Sequence, residues 1–312
     1  MEYSVIIRTL GTAGNKYQQL LDSISQQAIQ PKEILVYIAE NYPIPKETIN
    51  RERYITVPKG MVAQRALPFK EITTEYCLFL DDDVYLPPNA VSILYNTLIE
   101  HQADVISPAL FFHKYRFISF ITGNSFPHRN TQKGYLILPT GGFSFNENTE
   151  IKVKESQSNA GPCFFCKKET MLNIHFEEEL WLDETGYALW DDQTMFYKMY
   201  LYGYKILTTF ESGIIHLDAQ SSTQIPEKVN KIIYADSRNR LIFWYKFIYS
   251  QQPNFYRKIY VALCIIYSYC MQLIMYTYVG FKNGNTARTS SFLKGIKAAV
   301  NYIKELRYKD IQ

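Results

Sequence analysis

Apolar residues in the first third of the chain fall into short runs separated by helical stripes. Ser4–Arg8, Ile34–Ile38, Tyr54–Val57 and Cys77–Leu80 are compact runs rich in β-branched and aromatic residues, the mark of buried strands. Between the first two, Tyr17, Leu20, Leu21, Ile24 and Ala28 recur at helical spacing, and Pro31 ends the stripe. Strand, helix, strand in this order predicts parallel pairing with a right-handed crossover. The spacing predicts further helices over 61–72 and 88–101 and a strand over 104–112. Such alternation builds an α/β fold, an open sheet wrapped by helices.

The rhythm then changes twice. Residues 113–158 are irregular, with Gly123, Gly134, Gly141 and Gly142 among many Asn and Ser. They predict loops and hairpins over the rim of the sheet, where binding surfaces sit. Regularity returns with a strand at Cys163–Cys166, a short helix over 167–172 and an acidic, aromatic block at 177–184. Asp191-Asp192 then open a helix through Met195, Phe196 and Met199 that ends near Gly203, as carboxylates at a helix start and glycine at its end favour. Strands are predicted at Lys205–Leu207 and Gly213–His216.

From residue 226 the chain is expected to be helical, basic and aromatic. A helix over 231–247 carries Arg238-Asn239-Arg240. Ile259–Phe281 holds no charged residue and is flanked by Arg257-Lys258 and Lys282, long enough to span a bilayer. Its tyrosines favour the membrane–water boundary, so lying in the interface or packing on neighbouring helices is expected over spanning. The tail sets Phe292, Ile296, Val300, Ile303 and Leu306 against Lys294, Lys297, Lys304 and Arg307. That face suits an anionic membrane surface, or equally a helix that covers its neighbour.

Composition narrows the function. The chain has 312 residues, 47% hydrophobic and 20% charged, room for one large α/β domain with an appendage. A net charge of +3 gives no case for nucleic acid. Cys163 and Cys166 form a CxxC without the further ligands of a zinc site. On a strand their side chains point to opposite faces, so two packed core cysteines are expected. The N-terminus reads as a first strand and not as a leader, which sets the expected location in the cytoplasm.

The most informative stretch is Cys77-Leu78-Phe79-Leu80-Asp81-Asp82-Asp83. A buried strand stops at three adjacent carboxylates, and Pro87-Pro88 follow. Folding alone does not select three mutually repelling acids. A hard cation such as Mg2+ or Mn2+, held by one or two carboxylates and substrate phosphates, explains them. The plain alternative is a solvated acidic turn. The loop after the first strand lacks GxGxxG and a P-loop lysine, which disfavours dinucleotide and P-loop readings.

Taken together, Val5-Ile6-Ile7-Arg8-Thr9, Lys59-Gly60-Met61-Val62-Ala63-Gln64-Arg65, Phe79-Leu80-Asp81-Asp82-Asp83, Trp190-Asp191-Asp192 and Gly213-Ile214-Ile215-His216 resemble, in order and spacing, the inverting glycosyltransferases of family 2. The pairing of an aspartate triplet with Trp-Asp-Asp is most similar to bacterial galactofuranosyl- and rhamnosyl-type transferases. The resemblance implies a GT-A fold, a Rossmann-like open mixed sheet flanked by helices, with a C-terminal helical extension. It divides the chain into a transferase domain over 1–225, with a nucleotide-binding half at 1–112 and an acceptor-binding half at 113–225, and a helical region over 226–312.

The resemblance also implies roles. Asp81, Asp83 and His216 would hold Mn2+ or Mg2+. Arg8, Thr9, Glu40, Arg65, Asp81 and Asp82 would line the site of a UDP-, GDP- or dTDP-sugar, with Arg65 near the diphosphate. Asp192, or its neighbour Asp191, would be the catalytic base. Trp181 and Trp190 are candidates to stack on the acceptor sugar, or to be core. The implied reaction moves a sugar to a hydroxyl of a glycan or lipid-linked acceptor in surface polysaccharide synthesis, at the inner face of the membrane. The Gln-x-x-Arg-Trp motif of processive synthases is absent. Two rivals are a sugar nucleotidyltransferase, for which Leu10-Gly11-Thr12-Ala13-Gly14 is a poor signature, and a non-catalytic carbohydrate- or membrane-binding module.

Overall fold

The computed structural model describes residues 1–110, 117–128, 132–146, 148–217 and 226–309. Its strands are β1 (Tyr3–Thr9), β2 (Glu33–Ala39), β3 (Glu52–Val57), β4 (Tyr76–Asp81), β5 (Val84–Tyr85), β6 (Val105–Pro108), β7 (Ser125–Pro127), β8 (Tyr135–Ile137), β9 (Phe143–Phe145), β10 (Val153–Ser156), β11 (Cys163–Lys167), β12 (Ile206–Thr209) and β13 (Ile215–His216). Its helices are α1 (Asn15–Ser25), α2 (Ala90–Glu100), α3 (Phe117–Ile121), α4 (Lys168–Asn173), α5 (Asp191–Leu201), α6 (Pro226–Phe243), α7 (Phe255–Lys282) and α8 (Ala287–Lys309).

Eight strands form one mixed sheet in the order β10-β12-β6-β11-β4-β1-β2-β3. β1 pairs in parallel with both β2 and β4, while β11 runs antiparallel between β4 and β6. Strand alternation sorts side chains to two cores. Val5, Ile7, Val36, Leu78 and Leu80 face α1 and α2, whereas Ile6, Leu35, Phe79, Val105 and Phe164 face α5 and the C-terminal helices. Cys163 lies in the first core and Cys166 in the second, both fully buried, as a two-residue period requires. Each fully buried aliphatic or aromatic side chain of this kind stabilises by about 1.5–3 kcal/mol, so the centre of the sheet is a rigid platform.

Two expectations differ from the structure. Residues 61–72 form one tight turn and not a helix: Gln64 N donates to Gly60 O and Ala66 N to Val62 O, and the turn stops there. Pro68 removes a donor and Phe69 takes φ 45°, which ends helical bonding. The strand at 105–108 is shorter than expected: Ala109 and Leu110 are not strand, and the last two residues of the predicted run, 111–112, fall outside the described residues. The block at 176–185 is a 3-10 helix, and α6 continues into a π-helical turn over Trp244–Tyr249.

The C-terminal helices are packed onto the sheet. Ile233, Phe243, Trp244, Val261, Ile265, Phe292 and Ala299 join the same core as Ile6 and Phe79. Gly295 of α8 sits so close to α6 that a Cβ there would meet Ser237 Oγ at 2.0 Å. Arg240 of α6 is fully buried and donates to the carbonyls of Gly123 and Thr140, at 3.1 and 2.8 Å, and to Asn124 and Ser268. It thereby pins the 122–142 loops to α6 and α7.

Candidate active site

β1 is where the strand order reverses: β2 and β3 follow on one side, and β4 is laid on the other. Open α/β sheets bind ligands in the crevice at the carboxyl ends of such strands. The register sets Arg8 opposite Asp81. Arg8 grips Asp81 through Nε and Nη2, the latter 3.0 Å from Oδ2, and its Nη1 reaches the Met61 carbonyl at 3.3 Å. The Thr9 hydroxyl donates to Asp82 Oδ2 and accepts from Gly11 N at 2.8 Å. Burial, partly opposed by the Thr9 hydrogen bond and reinforced by the carboxylates on either side, pushes Asp82 up to about 6.

His216 arrives from far along the chain on a two-stranded ribbon. β13 pairs antiparallel with β5, which sets His216 opposite Val84, and Leu217 N donates to the Asp83 carbonyl at 2.7 Å. Its Nε2 lies 3.0 Å from Asp83 Oδ1. Arg8, Thr9, Asp81, Asp82, Asp83 and His216 line one cavity of about 370 Å3, together with Leu10, Thr12, Ala13, Met61 and Gln64. That volume suits a small ligand. Gln64 is buried and braces the wall by donating to the carbonyls of Thr9 and Tyr37, at 3.2 and 3.1 Å.

Carboxylate and imidazole 3.0 Å apart at the lip of this cavity form a donor pair of the type Mn2+ or Mg2+ accepts. Among the described residues no group of three or more His, Cys, Asp and Glu is placed to hold a metal. Asp81, expected as a third ligand, has both oxygens on Arg8 instead. The residues present fit a cation that takes its remaining ligands from a diphosphate and water.

A second acid cluster stands behind the same wall. Arg65 Nη1 donates to Asp191 Oδ2 at 3.0 Å and to Asp192 Oδ1 at 2.6 Å, and Nη2 donates to Gly161 O at 3.1 Å. Gly161 N closes the ring by donating to Asp192 Oδ2 at 2.9 Å. A Cβ on Gly161 would meet Asp192 Oδ1 at 2.0 Å and Arg65 Nη2 at 2.3 Å, so only glycine permits this approach. Burial and the neighbouring Asp192 charge, against the pull of Arg65 and Arg8, lift Asp191 to about 7. Asp192 also pays for burial, yet Arg65, Arg8 and the Gly161 amide hold it below its usual range. A small void of about 10 Å3, lined by Arg8, Asp81, Arg65 and Gly161, lies between the two clusters.

The expected residues separate accordingly. Arg65 is 3% exposed and its hydrogen bonds go to the acid pair and Gly161, so its place is the acid clamp and not the diphosphate. Glu40 is exposed at the exit of β2 and is not on the cavity wall. Trp181 is a correction: it is 3% exposed, donates to Glu179 at 2.6 Å and packs against Tyr302, so it offers no face to a sugar. Trp190 is half-buried, stacks on Phe243 and donates to Asp236 at 2.8 Å. Its φ of 78° is costly for a bulky residue, about 1–3 kcal/mol, and aims the start of α5.

Sequence analysis did not single out Gly161, or Asp183, which accepts from Val62 N and Ala63 N and holds the 60–65 turn in place. The Asn-Ala-Gly-Pro run at 159–162 carried the only available signal for Gly161.

Residues 4–140 match the family model described as glycosyl transferase family 2, which agrees with a GT-A fold. No curated protein matches the chain. Among solved structures, the crystal structure of S. aureus TarS is similar at 16% identity with a TM-score of 0.45, over 80% of this chain and 43% of that one. The chain thus spans less than half the length of TarS.

Proposed function

We propose that this chain, a member of glycosyl transferase family 2 through residues 4–140, moves a sugar from a nucleoside-diphosphate sugar to an acceptor hydroxyl with inversion. The observation that carries the reading is the acidic lip of Asp81, Asp82, Asp83 and His216 on a 370 Å3 cavity, with the Asp191–Asp192 clamp behind its wall. The donor lies in the cavity, with Thr9 and the 10–13 loop beside the nucleotide. Asp83 and His216 would hold Mn2+ or Mg2+, which when bound offsets the charge of the departing diphosphate. Arg8 keeps Asp81 fixed at the floor.

The acceptor oxygen forms the new bond to the anomeric carbon as the bond to the diphosphate oxygen breaks. A base takes the hydroxyl proton. Asp191 fits that task better than Asp192, because it titrates near neutrality while Asp192 has both oxygens engaged. Asp192 orients Arg65. Trp190, at the head of α5, borders the acceptor side. The acceptor is a glycan or lipid-linked glycan.

The enzyme works at the inner membrane face. α7 is long and apolar enough to cross a membrane by length and composition, but only 28% of its apolar window is buried. Phe255, Tyr256, Leu263, Tyr278 and Phe281 stand more than half exposed along it. Residues 226–312 hold 14 Lys and Arg against four Asp and Glu, a net +10, which leaves −7 on the first 225 residues of a +3 chain. A basic, tyrosine-rich surface of this kind lies on an anionic bilayer.

Hydrolysis of UDP-, GDP- and dTDP-sugars tests the chemistry. The expected result is Mn2+- or Mg2+-dependent cleavage of one donor, lost in Asp83→Ala. Cleavage that is indifferent to that substitution overturns the reading.

A further inference from the structure

A second cavity, of about 400 Å3, lies away from the acidic lip, between the 185–187 turn, α6 and α8. Its walls carry Lys231 and Lys294, with Asn230, Ser291, Tyr187 and Tyr234. Among the described residues no carboxylate lines it. Among the described residues neither lysine has an ion-pair partner. The nearby acids are already engaged: Asp183 accepts from the 62–63 amides and Glu184 is paired with Arg238. Two ammonium groups are therefore left facing a space without a counter-charge, and both are exposed enough to meet a ligand.

The cavity is held in shape by its surroundings. The Gly295 crossing, with Tyr234 O 2.5 Å from where a Cβ would sit, fixes Lys294 of α8 beside Tyr234 and Lys231 of α6. Arg238 donates to Trp181 O at 2.9 Å and Asn239 to Leu189 O at 3.1 Å, which ties the turn to α6. The turn also leads directly into α5. Thr185-Gly186-Tyr187 precede Trp190 and the acid pair by only a few residues along the chain.

We infer that this cavity is an anion-recognising acceptor subsite, taking a phosphate or diphosphate group of the acceptor between Lys231 and Lys294, with the aromatic rings beside the adjoining sugar. Lysine ammonium groups bind phosphate as point charges, and paired cations raise both affinity and salt dependence. The inference rests on the transferase reading, but its test is separate from donor cleavage.

The test is calorimetric titration of the full chain with inorganic pyrophosphate, in EDTA so that the acidic lip does not compete. The wild type is expected to bind, and affinity to fall at least about tenfold in Lys231→Ala/Lys294→Ala, as loss of two charge-assisted contacts requires. Binding is expected to return in Lys231→Arg/Lys294→Arg, which shows that the alanine variant failed for lack of charge. Phosphatidylglycerol vesicles separate the two sources of phosphate. If the alanine variant loses vesicle binding while pyrophosphate binds neither protein, the lysines serve the bilayer and the inference falls. Equal pyrophosphate affinity in wild type and alanine variant also overturns it. Donor cleavage and its loss in Asp83→Ala are scored independently, so a failure of the subsite is told apart from a failure of the transferase reading.

Discussion

Two groups of adjacent carboxylates handle the same repulsion in opposite ways. At the end of β4 each acid has its own neighbour: Asp81 has Arg8, Asp82 has Thr9, and Asp83 has His216. At the start of α5 both acids lean on one nitrogen, Nη1 of Arg65. Even with its own partner, Asp82 is pushed up to about 6, chiefly by burial. Burial, together with the Asp192 charge that one guanidinium does not cancel, lets Asp191 hold its proton up to about 7, while Asp192 is held below its usual range by Arg65, Arg8 and the Gly161 amide. Distribution of partners therefore separates a cluster whose acids each have their own neighbour from one in which two acids share a cation, the contrast on which the proposed roles of cation lip and base rest.

The contrast is broken most severely by removing the base. Asp191→Asn is expected to lower kcat by about 10²–10⁴-fold, with KM for the donor little changed, in steady-state transfer or hydrolysis assays. Removing the shared cation comes next. Arg65→Ala leaves Asp191 and Asp192 without their shared cation, Asp192 keeping only the Gly161 amide, and the Arg65 side chain is only 3% exposed, so a loss of about 3–5 kcal/mol is expected in urea unfolding. That loss should shrink on the acid side of pH 7, where Asp191 is already protonated. Crowding the clamp is milder: Gly161→Ala displaces Asp192 or Arg65 and should cost about 10²-fold in kcat with a folded protein.

The pH profile sharpens the comparison. A carboxyl raised in the folded protein stabilises it at low pH, and that contribution is lost as pH rises through about 7. Asp192 is lowered and has the opposite sign, its contribution being lost as pH falls. Activity should therefore climb through pH 7 as the pair gives up its last shared proton, a macroscopic step of the pair. Asp192→Asn should move that climb toward acid, because its charge helps raise Asp191, and burial, the larger cause, should keep part of the shift. The smallest effect is expected outside both clusters. Replacing Tyr256, Leu263 and Phe281 with Ser should lower vesicle co-sedimentation several-fold and leave cleavage of a soluble donor intact.

Much of this was legible in the sequence because it depends on period and position. Continuous apolar runs at Val5–Ile7 and Cys77–Leu80 marked strands buried on both faces, and the sudden acids after Leu80 marked the end of the strand and the candidate site. The helix beginning at Asp191 was readable from acids at its first turn and glycine after its last. What stayed hidden depends on contacts between distant segments. Arg65 carries no sign in its neighbours that Asp191 and Asp192 will enclose it, and phosphate was the more obvious partner for an arginine. Trp181 looked available because nothing local shows that Tyr302 closes over it. The helix expected at 61–72 failed at Phe69, where the chain adopts a left-handed conformation that propensity does not foresee.

Arg240 has a practical corollary for anyone trimming this enzyme. Its buried guanidinium supplies donors to Gly123, Thr140 and Asn124 from a helix that begins only at Pro226, and Asp236 on the same helix steadies Trp190. A truncation that stops after the last sheet strand would strip the segments around Gly123 and Thr140 and the head of α5 of their fastenings. The catalytic body is not a detachable module, and a shortened version should be sought by editing α8 and leaving α6 whole.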